Sequence, residues 1–132
     1  MLINGHKLEV LVDNGSQIVS IQKDLWERIG MPIRLDHVMV MESANKLKDK
    51  TMGLLKDLKV DISGYNFYLQ VQVVKNTPYK MLLGLLFHTL TQAAHKHFTN
   101  GDLHITLTDP NMHNVIMVPI LCKNNSTCFG CL

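Results

Sequence analysis

The sequence has no long apolar run, and no stretch reaches the length that crosses a bilayer. It has no surplus of one charge either. Lys and Arg total 13 against 11 acids, interspersed, for a net charge of +2, which argues against a nucleic-acid footprint. The Lys-rich stretch from Lys46 to Lys50 also carries Asp49 and reads as a solvated loop. Cysteine is scarce: Cys122, Cys128 and Cys131 all fall at the C-terminal end, and their odd number argues against a disulfide framework. Cys128-Phe129-Gly130-Cys131 has the spacing of a metal knuckle, but two further ligands at matching spacing are missing. The reading is three free thiols on a loose tail. The opening residues, Met1-Leu2-Ile3-Asn4-Gly5, lack the basic and apolar regions of a signal peptide, so a cytosolic or nuclear site is expected.

What is present is enough for one domain with a real core. The chain has 132 residues, 46% apolar and 18% charged, without repeats or a linker. One stretch organises the rest: Val10-Leu11-Val12-Asp13-Asn14-Gly15-Ser16. The apolar run reads as a buried strand, and Asn14-Gly15 as a turn whose residues tolerate positive φ. Asp13 therefore sits where a buried strand breaks into a loop. An acid there is costly unless it is hydrogen-bonded or shares its proton. Two readings stand at this point: a turn-initiating Asp that caps Gly15 or Ser16, or a functional carboxylate.

Around that stretch the chain reads as short strands. His6 to Val12 is the first and Ile18 to Ile21 the second. Lys23 to Ile29 is a short helix with Leu25, Trp26 and Ile29 on its apolar face, a Gly30 cap and Pro32 as a stop. Val38 to Met41 is a strand, Glu42 to Lys50 is polar and turn-like, and strand character returns from Met52 to Ile62. Ser63 to Asn66 turns the chain into Phe67 to Val74, whose Phe67, Leu69, Val71 and Val73 share one face. Met81 to Leu86 is a second buried apolar run, and His88 to His97 has helical character. Leu103 to Leu107 and Val115 to Ile120 are strands around an Asp109-Pro110-Asn111 turn. No βα unit repeats, so the expected class is all-β: a small closed β-barrel with one or two short helices.

Three features then fall into register: Leu11 to Ser16 as apolar-apolar-Asp-x-Gly-Ser, a polar hairpin tip at Ser43-Ala44-Asn45-Lys46, and Leu82-Leu83-Gly84 with Phe87 after it. This order resembles the retropepsin-like aspartic proteases of retroviruses and retrotransposons, and is most similar to those of long-terminal-repeat elements. The resemblance implies a two-fold homodimer in which each chain supplies one catalytic Asp13, since the sequence has a single Asp-x-Gly. It implies an active-site loop of Asn14, Gly15 and Ser16, and a flap over about Val38 to Leu58 with its tip at Ser43, Ala44, Asn45 and Lys46. It also implies a supporting core of Leu82, Leu83 and Gly84. It implies no metal and no cofactor. The partners it implies are a second copy and a peptide or polyprotein substrate, with no nucleic acid and no membrane. The domain is expected over residues 1–120, with 121–132 a Cys-containing tail.

The chain departs from the family pattern at several places. Asn14 stands where Thr or Ser is usual, the flap tip has no Gly, Leu86 stands where Pro is common, and the tail from Ile120 is atypical. Three functions therefore compete: a working aspartic endopeptidase that processes a retroelement polyprotein, a catalytically weak dimerisation or peptide-binding module, and a metal-binding domain using histidines and tail cysteines.

Overall fold

The computed structural model describes residues 1–13, 16–38, 40–42, 48–75, 77, 79–100, 102–122 and 127–130. In chain order its strands and helices are β1 (Leu2–Ile3), β2 (His6–Lys7), β3 (Val10–Asp13), β4 (Ser20–Gln22), α1 (Lys23–Ile29), β5 (Val40–Glu42), β6 (Lys48–Lys50), β7 (Gly53–Ile62), β8 (Tyr65–Val74), β9 (Met81–Leu83), α2 (Leu85–Leu90), β10 (Ala94–His97), β11 (Leu103–Thr108), β12 (Val115–Cys122) and β13 (Thr127–Gly130).

Period-two alternation builds the longest hairpin. Leu55, Leu58, Val60 and Ile62 of β7 and Phe67, Leu69, Val71 and Val73 of β8 are each at most 2% exposed, while Lys59, Tyr68 and Gln70 face outward. Each such apolar side chain contributes roughly 1.5–3 kcal/mol by leaving water. The turn between them places Ser63 at φ 52° and Gly64 at φ 88°, the paired positive values that match hairpin twist. A bulge between Leu55 and Leu58 is stapled from the opposite strand, where Gln70 Nε2 donates to Asp57 Oδ1 at 2.7 Å.

Helix α1 forms over the residues its pattern predicts. Leu25, Trp26 and Ile29 lie against the core, the Gly30 amide closes the last turn on the Trp26 carbonyl at 3.1 Å, and the indole N–H donates to the Met31 carbonyl at 2.7 Å.

The main sheet has the order β10-β11-β12-β13-β3-β9-β4-β8-β7-β1-β2, and β5-β6 is a separate ladder. The expected all-β class holds, but the expected closed barrel does not: β2 and β10 end the order and do not pair with each other. Each terminal strand is short and has one neighbour, so the sheet stays open.

Three further expectations are corrected. Residues 94–97 form a strand, not a helix, because Gln92 takes φ 47° just after α2 and the next segment pairs with β11, His95 opposite Ile105 and His97 opposite Leu103. Leu85 and Leu86 are not buried core: they are 46% and 59% exposed, since the run leaves the sheet at Gly84 and only Phe87 and His88 of α2 turn inward. The segment read as a loose tail contains β13, which pairs antiparallel with β3 over Thr127↔Asp13 to Gly130↔Val10.

Candidate active site

Strand β3 carries Asp13 on its last position. Val10 and Val12 are fully buried and Leu11 is nearly so, whereas Asp13 is half-buried. Both edges of β3 are occupied. β9 runs parallel on one side with Leu11 opposite Leu82 and Val12 opposite Leu83, and β13 runs antiparallel on the other. A strand bonded on both edges holds its terminal carboxylate in a narrow range of positions.

The chain then turns tightly. The Ser16 amide donates to the Asp13 carbonyl at 3.3 Å, closing a four-residue turn over positions 13 to 16. Asn14 and Gly15 lie outside the described residues, as do Ser43, Ala44, Asn45 and Lys46 of the expected flap tip and Cys131.

Leu82 and Leu83 pair with β3, and Gly84 follows them toward the exit of this turn. The Leu85 amide donates to the Ser16 carbonyl at 2.6 Å, and the Leu86 amide to the Gln17 carbonyl at 3.0 Å. Gly84 is required here by space: a Cβ would meet the Ile18 carbonyl oxygen and come within 2.6 Å of the Ser16 carbonyl oxygen. Asp13, Ser16, Leu82, Leu83 and Gly84 thus form one corner.

Three residues at or near this corner were not singled out from the sequence. His88 is buried, and its Nδ1 donates to the Gly84 carbonyl at 2.7 Å, a carbonyl that also receives the Phe87 and His88 amides. Its Nε2 is buried without a hydrogen-bond partner among the described residues. Thr91 is fully buried and ties α2 to the sheet: its hydroxyl donates to the Phe87 carbonyl at 2.8 Å and its own carbonyl accepts from Thr108 at 2.7 Å. Tyr79 lies within electrostatic reach of Asp13. Burial pushes its phenol up from the ordinary value, the nearby Ser20 hydroxyl opposes this, and the Asp13 carboxylate adds to it. Ser20 Oγ is buried and reaches no full hydrogen bond, so its effect on the phenol is a weak polar one. A His in a six-residue helix and a loop Tyr have no sequence period that would mark them.

Where the flap is expected, two short strands form a ladder of their own. β5 and β6 pair antiparallel, Val40 opposite Lys50 and Glu42 opposite Lys48. Its base is anchored in the core, where the buried Thr51 hydroxyl donates to Gln72 Oε1 at 2.8 Å and the Met52 amide donates to the Val73 carbonyl at 2.7 Å. Among the described residues no group of three or more His, Cys, Asp and Glu could hold a metal ion, and no helix is long and apolar enough to cross a membrane.

Comparisons with known proteins agree with this architecture. Residues 1–87, from β1 into α2, match the family described as "gag-polyprotein putative aspartyl protease". Among curated proteins none matches the chain. Among solved structures, the crystal structure of the retroviral protease-like domain of Ddi1 from Leishmania major superposes with a TM-score of 0.66 at 19% identity, covering 89% of this chain and 90% of that one. A likeness at that identity speaks for the fold. With two thirds of the length matched to one family and the Asp13 strand held between β9 and β13, the chain belongs to the retropepsin-like gag-polyprotein aspartyl proteases.

Proposed function

We propose that the chain is one subunit of a homodimeric aspartic endopeptidase that processes a retroelement polyprotein, closest in kind to the proteases of long-terminal-repeat elements. The observation that carries this reading is Asp13 at the end of a buried strand, braced on one side by the Leu82-Leu83-Gly84 corner. Asp13 is the catalytic acid, Asn14, Gly15 and Ser16 form the active-site loop, and Ser43 to Lys46 form the flap tip. Residues 1–120 are the protease domain, with 121–132 a C-terminal extension that adds the strand beside β3. An intracellular setting, cytosolic or nuclear, belongs to the same reading.

One carboxylate per chain is half of the chemistry. Across a two-fold axis, Asp13 meets its copy, and two carboxylates held close together cannot both ionise, so the pair keeps one proton. The ionised member takes a proton from a water placed between them. The protonated member polarises the scissile carbonyl, and the water oxygen adds to its carbon. Proton transfer to the amide nitrogen then lets the C–N bond break. The flap supplies main-chain pairing to an extended substrate and keeps bulk water out. The exposed apolar face of α2, with Leu85 46%, Leu86 59% and Leu90 41% exposed, supports a second copy as partner.

The test is cleavage of a peptide library at mildly acid pH by the parent and by Asp13→Asn. The variant keeps the shape of the side chain and loses the shared proton. The expected result is loss of cleavage with an unchanged sedimentation profile; cleavage retained in the variant removes Asp13 from the role. A second reading, a catalytically weak dimerisation or peptide-binding module, is favoured by Asn14 in place of a hydroxyl residue. The occurrence of this fold as a domain within Ddi1 agrees with it. Parent protein that dimerises and binds peptides without cutting them selects this second reading.

A further inference from the structure

A groove of about 240 Å³ lies between the β1–β2 hairpin and α1, and none of the Asp13 corner lines it. Its floor is apolar: Ile3 and Leu8 from the hairpin region, Leu25 and Ile29 from the helix. Its rim is basic: His6 and Lys7 from β2, Arg28 from α1 and Lys80 from the segment leading into β9. Among the described residues no Asp or Glu lines it. The neighbouring acid Glu27 on α1 is engaged by Lys23 at 3.7 Å, which leaves Arg28 without that counter-charge. Among the described residues Lys7, Arg28 and Lys80 make no ion pair. One side of the groove is also a sheet edge, because among the described residues β2 ends the strand order and pairs only with β1.

We propose that this groove docks an acidic peptide segment carrying one apolar anchor residue, a binding site separate from the Asp13 corner. Three features select that occupant. The basic rim and the absence of acids select negative charge. Exposed ion pairs are individually weak, so affinity needs an apolar side chain in the floor as well. The unpaired edge of β2 offers main-chain hydrogen bonds, which an extended peptide can take and a simple amphiphile cannot. The groove is small enough that one anchor residue fills it, and the acids on either side of the anchor meet the rim.

The experiment is a ¹⁵N-resolved NMR titration of the whole chain with the blocked peptide Glu-Asp-Leu-Glu-Asp. Two comparison peptides replace the central Leu with Ser, or all four acids with Lys. The expected result is saturable shifts at the amides of His6, Lys7, Arg28 and Ile29. Affinity is expected to fall at least about tenfold for either comparison peptide and for the double variant Arg28→Glu/Lys80→Glu, the change that loss of two charge contacts would bring. Both altered residues are exposed, so the variant's thermal midpoint should match the parent's. If that variant fails to fold, raising salt from about 50 to about 500 mM on the parent must weaken binding by a similar factor. Absence of shifts, shifts centred elsewhere, equal affinity for the Ser peptide, or indifference to charge reversal and salt each overturns the proposal. So does a fatty acid that saturates the same amides while the acidic peptide does not. None of these readouts depends on peptidase activity, so the outcome stands apart from the fate of Asp13.

Discussion

The Leu85 amide donates to the Ser16 carbonyl at 2.6 Å, so the first residue of α2 holds the exit of the turn that begins at Asp13. The contact exists because Gly84 lets two backbones meet. A methyl group at Gly84 would press on the Ile18 and Ser16 carbonyl oxygens, both of them main chain and unable to swing away. Gly84→Ala should therefore destabilise the fold by about 1–3 kcal/mol, the usual range for overpacking. Peptidase activity should fall further than stability alone accounts for. Urea titration and cleavage rates, measured where the variant is still folded, check both halves.

The apolar face of α2 gives a second prediction. Leu86 is 59% exposed, so Leu86→Glu should change monomer stability by less than about 0.5 kcal/mol, as surface substitutions do. If α2 contributes to the two-fold contact, the same change places like charges at that contact and weakens the dimer. Sedimentation equilibrium should then show monomer, and specific activity should drop more steeply on dilution than in the parent. An unaltered dimer would remove α2 from the contact.

Acid should weaken the fold through His95. Partial burial, and then the neighbouring His88 and His97, hold its imidazole below the ordinary histidine value. The folded state thus binds this proton less tightly than the unfolded chain does. The associated stability is present above about pH 6.5, where both states are neutral. It is lost as pH falls through the lowered folded value. Denaturation midpoints should therefore decline as pH falls below about 6.5, and His95→Gln should flatten the decline. An aspartic protease is assayed in this window, so the variant should also widen the range in which activity can be read.

Asn14 supplies the fourth prediction, from side-chain chemistry. In the proposed dimer a hydroxyl at this position would both donate and accept across the two-fold axis, while an amide is longer, planar and has more polar valence to satisfy. Each buried group left unsatisfied costs about 1–3 kcal/mol, and symmetry doubles it. Asn14→Thr and Asn14→Ser should tighten the dimer and speed cleavage without adding a catalytic group. Parallel sedimentation and kinetics decide; two variants that neither dimerise better nor cleave faster show that Asn14 is no impediment.

Sequence alone determined what rests on local period and turn chemistry. The alternation in Leu55 to Val73 requires a two-faced hairpin wherever it lies in the fold, and Leu25, Trp26, Ile29 and Gly30 spell a helix with its stop. The Asp13 stretch and Leu82-Leu83-Gly84 were legible for the same reason, each being a buried strand run that ends at a residue with a backbone role. Tertiary structure decided what depends on partners far along the chain. Thr127 to Gly130 became the strand beside β3 because that edge was open, which no pattern in the tail announces. Ala94 to His97 became a strand because β11 was there to pair with it, outweighing a sequence that reads as helix. The inward or outward fate of Leu85 and Leu86 followed from the direction in which Gly84 releases the chain. The basic groove is the same kind of result: Lys7, Arg28 and Lys80 are scattered in sequence, and only the packing of α1 against the first hairpin sets them around one apolar floor.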